Sequence, residues 1–96
     1  MKVVYHPDVQ QDVSQILRHY DRIHPKLGDA FWAELNAFIQ HAADNPRRFH
    51  LDSSGRRHVN LKRFPYHFLF RETGDGVRIL VVRGHKRHPD LGQQRG

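Results

Sequence analysis

Cysteine is absent from this chain, so no disulfide framework, thiolate nucleophile or thiolate metal site is available and the fold must hold by packing alone. Long apolar runs are missing too: the longest purely aliphatic stretch is Ile79-Leu80-Val81-Val82, far short of the ~20 residues that a membrane span requires. At the amino terminus, Met1-Lys2-Val3-Val4-Tyr5 runs at once into His, Pro and Asp, which argues against a secretory leader. Repeats and low-complexity tracts are lacking. Acids are scarce beside bases, 10 Asp and Glu against 16 Lys and Arg, leaving a formal net charge of +6. These absences point to a soluble, cytoplasmic protein that does not engage membranes. The cation excess points to a polyanion or an acidic protein as its partner.

What is present fits one small domain, 1–96, with a single modest core, near the size where burial only just outweighs chain entropy. Residues from about 91 onward, ending Gln93-Gln94-Arg95-Gly96, are expected to fray. The first half reads as a strand and two helices. Lys2 to Tyr5 is apolar and β-branched enough for a strand, and Pro7 suits the first turn of a helix, where its missing N–H costs nothing. Val9, Val13, Ile16, Leu17, Tyr20 and Ile23 then recur three or four apart and form one apolar stripe. His24-Pro25 ends that helix. Phe31, Leu35, Phe38 and Ala42 repeat the stripe in a second helix, widened by Trp32 and Ile39, until Asn45-Pro46 stops it. Phe31 and Trp32 are both expected in the core, because both sit on the apolar period.

Beyond a turn at Asp52-Ser53-Ser54-Gly55, apolar and cationic residues interleave at strand spacing. Val59 and Leu61 alternate with Asn60 and Lys62. Tyr66, Phe68 and Phe70 alternate with His67, Leu69 and Arg71; Val77, Ile79 and Val81 alternate with Arg78, Leu80 and Val82. Short links at Pro65 and at Gly74-Asp75-Gly76 imply antiparallel pairing. The expected fold class is α+β: an N-terminal strand and a two-helix hairpin packed on a small, twisted, mainly antiparallel sheet. Phe68, Phe70, Ile79 and Val81 are its expected buried face. Arg56, Arg57, Lys62, Arg63, Arg83, Lys86 and Arg87, with Arg71, give a surface for a nucleic acid or an acidic partner, since Glu72 and Asp75 are confined to the turn. Tyr66 suits either the core or stacking on a base.

The run Leu61-Lys62-Arg63-Phe64-Pro65-Tyr66, an aromatic strand closing on Arg71, a Gly-Asp-Gly turn, Val-Arg-Ile-Leu-Val-Val and His85-Lys86-Arg87-His88-Pro89 together resemble the C-terminal half of the RelE/ParE superfamily of small toxins. Tyr5-His6-Pro7-Asp8 before one helix, Pro25 to Phe31 opening the next, and Asn45-Pro46 extend the resemblance over nearly the whole chain. It implies the same strand, helical hairpin and sheet, and a growth-inhibiting toxin of a type II toxin-antitoxin system, akin to plasmid-stabilisation proteins. A cognate antitoxin would silence it in a hetero-oligomer. One branch of the superfamily binds DNA gyrase; another cleaves mRNA on the ribosome.

Carried over from the ribonuclease branch, Lys62 and Arg63 lie where basic residues often occur, and Arg87 falls at the Arg of the last strand. Cations there would stabilise charge on the phosphoryl oxygens as the 2′-hydroxyl attacks. His67 stands where the best-known ribonucleases have an Arg, and the chain after Arg87 lacks their Tyr. His85 and His88 are the candidates to move protons in its place. His85-x-x-His88, with only Asp90 nearby, is a poor ligand set, and no metal or cofactor is expected. The two departures favour a gyrase-like or unassigned target. The alternatives are a metal-independent endoribonuclease, with His67, His85, His88 and Arg87 as its catalytic residues, and a non-toxic basic domain that binds RNA or protein.

Overall fold

The computed structural model of the chain describes residues 2–86 and 91–96. Strand β1 (Lys2–Tyr5) leads into helix α1 (Val9–Ile23) and helix α2 (Pro25–Asp44). A short 3₁₀ turn (Pro46–Arg48) and a loop then connect to β2 (Arg57–Asn60), β3 (Tyr66–Glu72) and β4 (Gly76–Gly84). The four strands lie in the order β1-β4-β3-β2, antiparallel among the last three, with β1 parallel to β4. This is the expected α+β arrangement, and its single parallel pair follows from the helical hairpin that carries the chain from β1 back to the sheet.

Helix boundaries fall where side-chain chemistry puts them. The imidazole Nδ1 of His24 accepts the Lys26 N–H at 3.1 Å, so His24 closes α1 and caps α2, and Pro25 occupies the first helical position. At the other end α2 stops at Asn45, ahead of Pro46. Between β3 and β4 the turn closes through Thr73 N–H to the Gly76 carbonyl at 2.9 Å. Gly76 must be glycine because β1 runs directly beside it with Lys2 in register: a Cβ there would lie 1.8 Å from the Lys2 oxygen.

The core lies between the helical hairpin and one face of the sheet. Val9, Val13 and Ile16 of α1, and Phe31, Leu35 and Ile39 of α2, pack on Phe68, Phe70, Val77, Ile79 and Val82. Phe31, Tyr20, Phe64 and Tyr66 meet at one end with ring centroids 5.1 to 6.0 Å apart, so Tyr66 is partly buried against the core. Burial, followed by the neighbouring Tyr66, pushes the Tyr20 phenol up to about 12.

The structure departs from the sequence reading at particular residues. Phe68, Phe70 and Ile79 face the helices as expected, but Val81 does not; Val82 takes its place. An irregularity between Leu69 and Phe70 pairs Leu69 with Val81 and Phe70 with Ile79, so one extra residue of β4 reverses its alternation. Phe31 is fully buried, whereas Trp32 is 51% exposed. The end expected to fray lies on the helix-free face of the sheet. There Gly92 presses on Val81 so closely that a Cβ would come within 2.6 Å, and its φ of +83° is itself a glycine conformation. No helix among the described residues is long and apolar enough to cross a membrane.

Candidate functional site

Successive residues of a strand point to opposite faces, so burying Phe68, Phe70 and Val82 under the helices turns His67, Leu69, Val81 and Arg83 to the other side. Asn60 pairs with His67 and His58 with Leu69, which brings β2 side chains onto that same face. Its centre is a hydrogen-bonded cluster. Arg83 donates from Nε to His67 Nε2 at 2.9 Å, and His67 Nδ1 lies 2.9 Å from His85 Nδ1. The His67 and His85 rings are nearly coplanar, 7° apart with centroids 5.1 Å apart, so they meet edge to edge. On the other side of His67, the His58 ring lies 6.4 Å away, and His58 Nε2 is 3.0 Å from Asp52 Oδ2.

This network fixes where the protons are. A guanidinium can only donate, so His67 Nε2 must present its lone pair. Neutral His67 then carries its proton on Nδ1 and donates it to His85, whose own proton sits on Nε2. Partial burial, then the charges of Arg83, His85 and His58, push His67 down to about 4. Burial disfavours the charge on Arg83 as well, and neighbouring Arg56 adds to the effect. Asp52 is the opposite case. Partial burial opposes its ionisation, but hydrogen bonds from the Ser54 hydroxyl, His58 and the Arg56 and Ser54 amides hold it well below the ordinary carboxylate range.

Chemically, the cluster is built to hold a neutral imidazole at His67 beside a fixed cation. His67 has no free lone pair to take up a proton, and His85 offers a donor at Nε2. That arrangement binds an acceptor better than it abstracts a proton. His85 also lines a cleft of about 670 Å³ between α1 and the end of β4, together with Asp12, His19, Tyr66, Arg83 and Lys86.

The other candidates are dispersed. Arg57 donates to the Phe49 carbonyl at 2.8 Å and pairs with Glu72 at 3.3 Å, a role within the fold. Lys62 and Arg63 are exposed in the β2–β3 link; the Arg63 amide is bonded to Glu34 of α2, and its guanidinium lies over the Phe64 ring. Arg56 grips main-chain oxygens of residues 92–95. Arg87 and His88 lie outside the described residues.

Two features escaped the sequence reading. Asp12 accepts from Arg95 Nη1 at 2.6 Å and from the Val82 amide at 3.1 Å. Its position within the apolar stripe, between Val9 and Val13, was the available signal. The second is an apolar groove of about 580 Å³ along α1, α2 and β1, rimmed by the half-exposed rings of Tyr5 and Trp32 and floored by Val13, Leu17, Leu35 and Ile39.

No protein-family model and no curated protein matches the chain. Among solved structures, the chain has the fold of one described as "Chromosomal ParDE TA system from P. aeruginosa". The two superpose with a TM-score of 0.76 at 18% identity, over 88% of this chain and 95% of that one. The fold class is therefore RelE/ParE-like, an open, mostly antiparallel sheet with a helical hairpin on one face.

Proposed function

We propose that this protein is the toxin of a type II toxin-antitoxin pair, acting by binding a gyrase-like or other target without cleaving RNA. The observation that carries the reading is the fold shared, nearly end to end, with a chain of a ParDE system. The apolar groove supports the partner. Trp32 and Tyr5 flank a trough between two helices, the kind of surface that takes the apolar side of an antitoxin segment. The net charge of +6 suits an acidic segment. The histidine cluster supports the choice of mode, because His67 is locked as an acceptor from Arg83 and is a poor general base.

Growth after induced expression tests this, with and without the adjacent open reading frame, followed by primer extension on cellular mRNA. Arrest relieved by the neighbour, with intact mRNA, is the expected result. New mRNA ends would replace the binding mode with ribonuclease action, and unimpaired growth would overturn the toxin reading.

A further inference from the structure

The helix-free face carries a row of arginines that the cluster around His67 does not use. Arg71 and Arg78 are directly opposite each other on β3 and β4. The register that pairs Arg57 with Phe70 puts Arg56 opposite Arg71 on the next rung. Like charges at facing positions of a sheet repel. Carboxylate side chains would relieve that, yet among the described residues the row bonds to main-chain oxygens. Arg56 donates to the Gly92 oxygen at 3.1 Å, to the Arg95 oxygen at 2.7 Å and to the Gln93 oxygen; Arg71 donates to the Gly96 oxygen at 3.0 and 3.2 Å. The Nε of Arg78 is buried and has no hydrogen-bond partner among the described residues. An orphaned, buried guanidinium N–H in a cationic row is an unmet demand for an acceptor, and an anion meets it better than a carbonyl.

Among the described residues, every acceptor that Arg56 and Arg71 have found through their side chains belongs to residues 92–96. The segment's own side-chain anchor is Arg95. Arg95 clasps Asp12 through Nη1 at 2.6 Å and Nη2 at 3.2 Å. We propose that Arg56, Arg71 and Arg78 form a binding site for phosphate groups, and that residues 91–96 occupy it as a removable strap latched by Arg95 on Asp12. The planar guanidinium forks suit phosphate oxygens, whether those of a free polyphosphate or of a nucleic-acid backbone. The strap lowers apparent affinity by the fraction of time that it covers the row.

Titration calorimetry at low salt tests the proposal, with inorganic tripolyphosphate in one arm and a short oligouridylate in the other. Arg95→Ala opens the latch without touching the row, and should bind at least one probe roughly ten- to a hundredfold more tightly than the parent chain. A gain for tripolyphosphate alone assigns the site to free polyphosphates, and a gain for the oligonucleotide alone to a phosphodiester backbone. Adding Arg78→Met should abolish the gain. Amide hydrogen exchange over residues 91–96 is read in parallel, and a chain lacking those residues replaces Arg95→Ala should that variant not fold.

Faster exchange with no gain for either probe would overturn the site. Unchanged exchange in Arg95→Ala would overturn the latch. A gain that survives Arg78→Met would remove Arg78 from it. None of these readouts depends on growth inhibition, so the failure of this proposal and that of the toxin reading are separable.

Discussion

Arg83 donates through Nε to His67 Nε2 at 2.9 Å, and this one bond decides which nitrogen of His67 carries a proton. A proton added to His67 would have to displace a guanidinium. With the ring pushed down to about 4 from 6.5, the unfolded chain binds a proton that the folded chain refuses anywhere between those values. The stabilisation from neutral His67 is therefore complete above pH 6.5 and is lost as pH falls toward about 4. Solvent screening of a half-buried ring limits the effect to roughly 1–2 kcal/mol. Urea unfolding across that range should show the decline, and His67→Leu should flatten it. A pH slope unchanged in the variant would place the origin elsewhere.

Phe31 and Trp32 are chain neighbours with opposite destinations. Phe31→Ala empties a fully buried site and should cost about 3–5 kcal/mol of unfolding free energy. Trp32→Ala should cost less than about 1 kcal/mol, since half of the ring is already in water. If the groove receives the antitoxin, the same change should weaken that complex by about 2 kcal/mol or more, measured by calorimetry with the product of the adjacent reading frame.

Gly76 and Gly74 make a second contrasting pair within one turn. A Cβ at Gly76 would collide with the backbone of Lys2, 1.8 Å from its oxygen, whereas nothing lies within 4 Å of one at Gly74. Gly76→Ala should detach β1 and lower stability by at least about 2 kcal/mol, with Gly74→Ala within about 0.5 kcal/mol of the parent. Thermal denaturation distinguishes them. Equal effects would mean that β1 shifts freely.

Asp52 ties its own turn to β2. Its Oδ1 accepts from Ser54 and from the Arg56 amide, and its Oδ2 meets His58 at 3.0 Å. Asp52→Ala removes acceptors from several donors at once and should cost about 1–3 kcal/mol. In proton NMR, the His58 ring resonances should move with it. A silent variant would show that the turn holds by its main chain.

Much of the fold was legible because local chemistry agrees with it. The proline-marked helix ends at His24-Pro25 and Asn45-Pro46, the i, i+3, i+4 stripes apart from the exposed Ile23 and Trp32, and the alternation of β3 all survive in the structure. Where the reading failed, a non-local contact decided the outcome. The exchange of Val81 for Val82 depends on an irregularity opposite Leu69, which no periodicity announces. Trp32 sits on the right helical period but lines the apolar groove beside Tyr5, half of it in water. Among the site residues, His67 is far in sequence from Arg83 and His85 and is joined to them by the β3–β4 register, which pairs His67 with Arg83. The tail reads as disordered by composition, because its anchors are Arg56, Arg71 and Asp12.

Strand β1 ends at Tyr5 opposite Ile79, while β4 continues to Gly84. Alongside that overhang, the Val82 amide is bonded to the Asp12 carboxylate and the Leu80 carbonyl to the Arg95 guanidinium, at 3.1 Å each. A bare margin of this kind invites another chain to zip on and start a fibre. Here one acidic and one basic side chain imitate the missing neighbour, donor for donor and acceptor for acceptor. The molecule gains protection from self-templating at the most apolar strand it has, and an incoming strand would have to displace an ion pair before forming its first rung.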